Sequence, residues 1–499
     1  MKKIRDSMNR RDFLKKCVMT GAGGLVLSNR AVSVRLAGRR PNILYIMADD
    51  HSAAAIECYG GRLAPVINTP AIDRIAAEGI RLNNCFCTNS ICTPSRAAIL
   101  TGQYSHINGV KNLGQALDRD RQNVARLLQQ AGYQTAIVGK WHLKTEPSGF
   151  DYYNVLPGQG NYGVRNIVRL KEKGKPWQDG NKGGEEYDGY ATDIITDVCL
   201  RWLKGRDKDR PFFLMCHHKA PHGLWEYNPK YEHLYENVEF PEPESLWEDK
   251  GHRCEASRQA GRTILQLCGR MESSTWPTGA LDTGGMDDTQ KIKAAYQKYL
   301  HDYMRCIASV DESVGRLLDY LDKENLTGDT VVVYTSDQGM FLGEHEYYDK
   351  RWMFEDSLRM PFLVRYPGEI GAGSVNDDIV TNVDFAPTFL NYAGRPVPSE
   401  MQGRSFRANL TGKTPRDWPK SMYYRYWMGA SGVPVHYGVR TKRHKLVYYY
   451  GSPTGWELYD LQNDPAEINN VYESPAYAAV VGEMKAELAR LREHFGDTE

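Results

Sequence analysis

The sequence predicts an α/β fold, with a large mixed β-sheet flanked by helices and a small C-terminal antiparallel sheet plus helix. Short apolar runs of the buried-strand type, such as 41–48 and 329–335, alternate with amphipathic helical stretches over the first 400 residues. This alternation is typical of a sheet covered by helices on both faces. After about residue 410 the chain changes to aromatic-rich strand patterns and a charged final helix. We therefore predict a large domain over 36–410 and a smaller α+β subdomain over 411–499.

Composition and charge limit the classes of function. The chain has 499 residues, of which 41% are hydrophobic and 25% charged, as in ordinary globular proteins. Its net charge is +1, but residues 1–35 contribute +7, so the remainder carries −6. Such a body does not attract polyanions in general, and we predict no nucleic-acid partner. The ten cysteines show neither a disulfide framework nor zinc-ligand spacing.

The N-terminal segment has the features of a targeting signal. Its stretch Asn9-Arg10-Arg11-Asp12-Phe13-Leu14-Lys15 resembles a twin-arginine export signal. The apolar run after it, 17–27, is too short to cross a bilayer as a helix, so we predict no permanent membrane span. The resemblance implies the twin-arginine export machinery as a partner and the bacterial periplasm as the destination. A basic tail without a targeting role is the alternative.

The first predicted strand, 41–48, ends in Asp49-Asp50-His51. Two adjacent carboxylates at the carboxyl end of a buried strand repel each other unless a cation lies between them. Hard oxygen ligands select Ca²⁺ or Mg²⁺. The alternative for such a pair is a solvated turn. A capped amphipathic helix is predicted next, over 68–76.

The stretch from Cys92 to Gly102 combines a cysteine with residues that begin a helix. Thr93 is the predicted N-cap and Pro94 the first helical residue. Cys92 would then lie at the positive end of a helix dipole, beside the guanidinium of Arg96. That environment suits a group that becomes anionic or binds an anion. A buried structural cysteine is the alternative.

Two further predicted strands deliver polar groups at their ends. After a helix over 124–131, the strand 133–138 leads into Gly139-Lys140-Trp141-His142, and a strand over 211–215 leads through histidines at 217 and 218 to His222. Ligands of such folds gather at the carboxyl ends of the strands. Lys140 and His142, two residues apart, are predicted to polarise a reacting oxygen and to move its proton.

The second half of the large domain repeats this arrangement. A long amphipathic helix is predicted over 291–321, and the strand 329–335 ends in Ser336-Asp337-Gln338-Gly339. We expect Asp337 and Gln338 to complete an oxygen cage with the first aspartate pair. The Gly- and charge-rich stretches 160–190 and 250–285 show little periodicity and are predicted to be surface excursions near the cleft. A last helix is predicted over 384–394.

Several of these motifs, in this order, resemble those of the sulfatase family. Cys92-Thr93-Pro94-Ser95-Arg96, continued by Leu100-Thr101-Gly102, resembles the family signature, and Gly139-Lys140-Trp141-His142 resembles a second family motif. The resemblance covers about residues 41–490 and implies an alkaline-phosphatase-like fold. It further implies that Cys92 is oxidised by a maturase to formylglycine, the catalytic aldehyde of the family.

The resemblance also implies roles for the site residues. Calcium, with magnesium as the alternative, would be held by the modified Cys92 together with Asp49, Asp50, Asp337 and Gln338. The family usually has Asn or His where this chain has Gln338. Arg96, Lys140 and Lys350 would surround the sulfate with positive charge. His222 would protonate the leaving alcohol, and His142 would assist release of sulfate.

The stretch 336–351 suggests a substrate class. Ser336-Asp337-Gln338-Gly339, Gly343-Glu344-His345 and Asp349-Lys350-Arg351 together resemble the sulfatases that remove the 6-sulfate of N-acetylglucosamine in glycosaminoglycan or mucin-type glycans. Asp349 and Arg351 would bind the sugar hydroxyls, and His436 would close over the ring. Alternatively, Asp349 and Arg351 pair with each other or with Glu355.

Three classes of function therefore remain open. The first is a sulfuric ester hydrolase that acts on a sulfated carbohydrate, on another sulfated sugar or on an aryl sulfate. The second is a phosphate or phosphonate ester hydrolase on the same fold. The third is a binding protein without catalysis, which the complete set of charged residues argues against because unused buried charges are costly.

Overall fold

A mixed β-sheet forms the centre of the computed structural model, which describes residues 40–429 and 432–499. Residues 40–499 group as one compact unit. The predicted export signal over 1–35 lies outside the described residues. In the described part of the chain, no helix is long and apolar enough to cross a membrane.

The strands within the described residues are the following: β1 Asn42–Ala48, β2 Ile80–Leu82, β3 Cys85–Phe86, β4 Gln134–Lys140, β5 Tyr152–Leu156, β6 Val168–Glu172, β7 Glu185–Tyr187, β8 Phe212–His217, β9 Thr330–Ser336, β10 Phe341–Leu342, β11 Tyr348–Asp349, β12 Phe362–Arg365, β13 Ser374–Asn376, β14 Val380–Thr381, β15 Ser421–Tyr426, β16 His436–Thr441, β17 His444–Tyr449 and β18 Gly455–Asp460. The helices are α1 Pro70–Ala77, α2 Cys92–Thr101, α3 Ser105–Asn108, α4 Val124–Gln130, α5 Ala191–Gly205, α6 Glu255–Arg258, α7 Ile264–Met271, α8 Asp288–Lys323, α9 Glu355–Leu358, α10 Phe385–Tyr392 and α11 Ala478–Phe495.

The large sheet has the strand order β13-β2-β12-β9-β1-β8-β4-β5-β6-β7. Its five central strands, from β9 to β5, are all parallel to their neighbours. Towards the edges, β12 runs antiparallel to β9 and β2, and β6 runs antiparallel to β5. The sheet is therefore mixed, as predicted, and its parallel centre brings the carboxyl ends of four long strands to one edge.

Both faces of the sheet are covered by helices. In β1, Ile43, Tyr45 and Met47 join one buried cluster with α2, α4 and α10. Leu44, Ile46 and Ala48 face the other side, where α1, α5, α7 and α8 pack. Because successive strand residues point to opposite faces, a strand buried on both sides is continuously apolar. This explains the unbroken hydrophobic run of 42–48.

The C-terminal region forms the predicted antiparallel sheet and helix. Strands β15 to β18 pair in sequence order, and α11 packs on them through Met484, Leu488 and Leu491. Their aromatic and aliphatic residues share a buried cluster with Ala98 of α2 and with Tyr104. The small sheet therefore lies directly behind the helix that begins at Cys92.

One local prediction was wrong, and one helix was missed. Helix α2 begins at Cys92 rather than at Pro94, and Ile91 occupies the N-cap position. The Thr93 hydroxyl instead donates to the carbonyl of His142, at 3.2 Å. The segment 250–285 is also more ordered than predicted, because it contains α7, which begins with a capping box between Thr263 and Gln266.

Candidate active site

Most of the predicted site residues meet where four parallel strands end. Strand β1 leads into Asp49 and Asp50, and its neighbour β9 leads into Asp337 and Gln338. On the other side, β4 ends at Lys140, and the loop after β8 carries His222. The first turn of α2 adds Cys92 and Arg96. The site is thus assembled by strand order, from segments far apart in sequence.

Three carboxylates and three cations form a buried network at these strand ends. Arg96 donates from Nε to Asp337 Oδ2 at 2.8 Å, and its Nη2 lies 3.7 Å from Asp49 Oδ1. Lys140 pairs with Asp49, and Lys350 pairs with Asp50. Every member is almost fully buried. Each charge has a partner, which is the condition under which buried charges persist.

The network holds its two adjacent aspartates in different electrostatic environments. Burial would raise the pKa of Asp49, but Lys140, His222 and Arg96 hold it well below its usual value. Burial outweighs Lys350 at Asp50 and raises its pKa. Burial and Asp49 together raise the pKa of Asp337 to about 7. The three carboxylates therefore lie close enough to repel one another, and a bound cation would reduce that repulsion.

The donor atoms fit a hard cation. The Oδ1 atom of Asp49 and the Oε1 atom of Gln338 are buried and have no hydrogen-bond partner in the described part of the chain. The Gln338 amide nitrogen donates to Asp50, which leaves its oxygen free for another ligand. Ligand atoms of Asp49, Asp50 and His222 lie within 4.8 Å of one another. Oxygen-rich sets of this kind suit Ca²⁺ or Mg²⁺.

Cys92 lies beside this network at the bottom of a cavity of about 250 Å³. Burial raises the pKa of its thiol, although Lys140 acts in the opposite direction. A protonated thiol is a poor nucleophile, because the thiolate is the reactive form. The helix start and Arg96 therefore do not activate the unmodified cysteine.

The histidines after β8 have distinct positions. His222 lines the cavity, with Nε2 3.7 Å from Asp50 Oδ2. His217 contacts the Lys140 carbonyl at 3.1 Å, and His218 contacts Ser313 at 3.0 Å, within the packing of the sheet. His222 is thus the member of this group that faces the cavity. Burial and Lys140 lower its pKa well below the usual value when no anion is bound.

His142 is held beside the start of α2. Its Nδ1 lies 3.3 Å from the Thr93 hydroxyl, and its backbone is in the left-handed region at φ 57°. Burial and Lys140 lower its pKa to about 2. Its imidazole is therefore neutral and is a weak base unless negative charge is bound nearby.

The stretch Asp349-Lys350-Arg351 forms part of the cavity wall. Asp349 and Arg351 pair with each other, with Nε 2.7 Å from Oδ2, as one sequence alternative anticipated. Glu355, the other partner considered, pairs instead with Arg440 and Lys445. The Asp349–Arg351 pair nonetheless lines the cavity, with Lys350 between its members.

His436 is not brought to the cavity, contrary to the sequence interpretation. It begins β16 and is fully buried among Trp352, Tyr424 and Tyr449. Its Nδ1 lies 2.8 Å from the Pro434 carbonyl. The strand therefore turns this imidazole into the packing between the C-terminal sheet and the main domain.

Other cavity residues were missed by sequence analysis. Gln159 accepts from Lys140 at 2.5 Å, and Arg262, Arg270 and Tyr348 line the outer wall. The two arginines lie at either end of α7, in the segment for which no motif was found. The capping box and the apolar spacing of Ile264, Leu267, Cys268 and Met271 are the signals that could have located this helix.

Comparison with known proteins supports these assignments of fold and family. The sulfatase family model matches residues 41–395, and a model described as the C-terminal part of N-sulphoglucosamine sulphohydrolase matches 343–494. An N-acetylglucosamine-6-O-sulfatase of Bacteroides thetaiotaomicron is 41% identical, over 92% of this chain and 88% of its own. A Clostridium perfringens arylsulfatase is 26% identical, over 88% and 91% of the two chains.

Solved structures give the same result. A protein in complex with its substrate D-glucosamine-2-N,6-O-disulfate is 39% identical, with a TM-score of 0.85 over 92% of this chain and 99% of that one. A phosphonate monoester hydrolase of Silicibacter pomeroyi has a TM-score of 0.73 at 23% identity, over 92% and 96% of the chains. The latter likeness concerns the fold alone, which is alkaline-phosphatase-like as predicted.

Proposed function

The chain belongs to the sulfatase family and is a sulfuric ester hydrolase, and from this premise we propose that it removes the 6-sulfate of N-acetylglucosamine in glycosaminoglycan or mucin-type glycans. One observation carries the proposal. The cavity presents Cys92, His222 and Lys350 at its base and the Asp349–Arg351 pair at its wall. A carboxylate and a guanidinium side by side suit the vicinal hydroxyls of a pyranose, one accepting and the other donating.

We infer that Cys92 is oxidised to formylglycine and that the site binds calcium. The hydrated aldehyde would supply the attacking hydroxyl, and calcium would supply positive charge beside the sulfate oxygens. The raised pKa of the Cys92 thiol supports this, because the unmodified side chain is a weak nucleophile here. Asp49, Asp50, Asp337 and Gln338 would hold the ion, with magnesium as the alternative.

The remaining residues of the site bind the sulfate and move protons. Arg96, Lys140 and Lys350 would surround the sulfate with positive charge, which would stabilise negative charge that develops on its oxygens. His222 faces the cavity, where the negative charge of a bound sulfate would raise its pKa, and it would then give a proton to the leaving oxygen of the sugar. His142 lies beside the start of α2 and would accept a proton during release of sulfate, once bound negative charge has raised its pKa.

The cellular context is also a proposal. The twin-arginine pattern over residues 9–15 supports export to the bacterial periplasm. A maturase that oxidises Cys92 would act before export, because the twin-arginine pathway carries folded proteins.

The test combines activity with chemistry at Cys92. Purified enzyme is expected to release sulfate from N-acetylglucosamine-6-sulfate, and mass spectrometry of the peptide that contains Cys92 should show formylglycine. Matched phosphate and phosphonate esters should be hydrolysed far more slowly. Faster hydrolysis of those esters would favour the second class of function, and an unmodified Cys92 in active enzyme would overturn the proposed chemistry.

A further inference from the structure

Two arginines on the outer wall of the cavity have no assigned role. Arg262 precedes α7, and Arg270 lies in its last turn. Both line the cavity that contains Cys92 and Lys350, and both line a shallow depression that continues it outward past Tyr348. They belong to the segment 250–285, which no sulfatase motif covers.

The two guanidinium groups carry charge that the protein neutralises only in part. Asp349 Oδ2 lies 3.4 Å from Arg262 Nε but is already bound by Arg351 at 2.7 Å and has Lys350 close by. Arg270 donates to the neutral hydroxyl of Tyr348 at 3.3 Å and forms no ion pair with any described carboxylate. Asp50, the other acid of the cavity, is paired with Lys350. The outer wall therefore has an excess of two positive charges.

The backbone that carries these arginines is firmly held. The amide of Tyr348 donates to the Arg262 carbonyl at 3.0 Å, next to the Asp349–Arg351 pair. The Tyr347 hydroxyl donates to the Ala260 carbonyl at 2.6 Å. Helix α7 packs on α8 through its buried residues Ile264, Leu267 and Met271. These contacts fix the backbone at Arg262 and Arg270 next to the Asp349–Arg351 pair.

We propose that Arg262 and Arg270 form a second anion subsite, which recognises a charged substituent of the substrate other than the sulfate that is removed. Guanidinium groups bind sulfate and carboxylate oxygens through paired hydrogen bonds. The substituent is an N-sulfate on the same glucosamine or the carboxylate of a neighbouring uronic acid. This inference rests on the proposed function and adds to it the charge of the preferred substrate.

The test compares three substrates that share the same scissile 6-sulfate. They are N-acetylglucosamine-6-sulfate, D-glucosamine-2-N,6-O-disulfate, and a disaccharide of 6-sulfated N-acetylglucosamine with a uronic acid. The wild-type enzyme is expected to show a kcat/KM about tenfold higher for one of the two dianionic substrates. The substrate that is preferred identifies the source of the second anion. The preference should fall as salt is added, because partly exposed charges are screened.

Substitutions of the two arginines test whether they cause the preference for a dianionic substrate. Arg262→Gln and Arg270→Gln are each expected to lower kcat/KM for the preferred dianion about fivefold or more, mainly through KM, because the contact is remote from the reacting bond. Arg270→Lys keeps the charge and should retain part of the preference. Arg258→Gln is the matched control, because Arg258 is an exposed arginine of the same segment outside the cavity. It should leave all three rates unchanged.

The outcomes separate this inference from the proposed function. A wild-type enzyme that cleaves all three substrates without preference would overturn the second anion subsite alone. Equal losses on the monosulfated and dianionic substrates in Arg270→Gln would overturn it as well, since the arginine would then support the cavity in general. No cleavage of any of the three would overturn the proposed function and this inference with it.

Discussion

The base of the cavity lies at the ends of parallel strands, whereas its wall is built by α7, the loop before it and residues 348–351. At the base, each of three carboxylates has a cationic partner, and all are almost fully buried. On the wall, Arg262 and Arg270 are partly exposed and lack full partners. If the proposed roles are right, the reaction and the choice of sugar depend on separate parts of the molecule. Changes at the base should affect every substrate, and changes at the wall only some.

The largest effect is expected at Cys92. Cys92→Ala should lower activity about a thousandfold or more on both sugar and aryl sulfates, because the attacking group is lost. The variant should unfold near the wild-type temperature, since alanine removes little volume from the start of α2. Retention of more than a few per cent of activity by the purified variant would contradict the role given to this residue.

Loss of a metal ligand is expected to have the second largest effect on activity. Asp337→Asn, or treatment with a chelator, is expected to lower activity about a hundredfold on every substrate. Calcium should restore the chelated enzyme but bind the variant weakly, which titration calorimetry measures. Calcium should also raise the unfolding temperature of the wild type more than that of the variant. Zinc, rather than calcium or magnesium, in active enzyme would show that the oxygen cage is misassigned.

A smaller and substrate-dependent effect is expected at the wall. Asp349→Ala and Arg351→Ala should each lower activity on N-acetylglucosamine-6-sulfate about tenfold, which is the loss of one or two charged hydrogen bonds. A small aryl sulfate has no such hydroxyls, so its hydrolysis should change much less. Because the two residues pair at 2.7 Å, the double variant should lose little more than each single one. Equal losses on both substrates would assign the pair to the base instead.

The smallest effect is expected at Gln338. Gln338→Asn keeps an amide oxygen on a shorter arm and should lower activity only about threefold, on all substrates alike. Gln338→Leu is the matched control, because it removes the oxygen while keeping a similar volume. Steady-state rates at several calcium concentrations compare the two. If leucine were as mild as asparagine at every calcium concentration, the amide oxygen would not be a ligand.

The same comparison shows what could be predicted from sequence. The base was predictable because its residues follow buried strands, and parallel neighbours bring their ends together. Strand β1 was predicted over 41–48 and forms over Asn42–Ala48, and β9 was predicted over 329–335 and forms over Thr330–Ser336. Short apolar runs with fixed ends leave little freedom in register.

The wall was not predictable in the same way. Helix α7 has only eight residues, and its arginines contact the cavity through packing against α8 and Tyr348 rather than through a local pattern. His436 was misplaced because a histidine in an aromatic strand suits a cleft and a core equally well. Its burial was decided by neighbours on other strands, such as Tyr424 and Tyr449. Thr93 was misread as a cap because its hydroxyl bonds to His142, about fifty residues on.

The burial of Cys92 limits when its proposed oxidation can occur. With 1% of its surface exposed beneath the cavity, the folded chain offers this cysteine to small molecules but not to the active site of another protein. The proposed oxidation must therefore be complete before α2 packs against the C-terminal sheet. A chain that folds faster than it is oxidised would remain inactive permanently. The fraction of active enzyme in a cell would then depend on the rate of oxidation relative to the rate of folding. It would not depend on the stability of the folded protein.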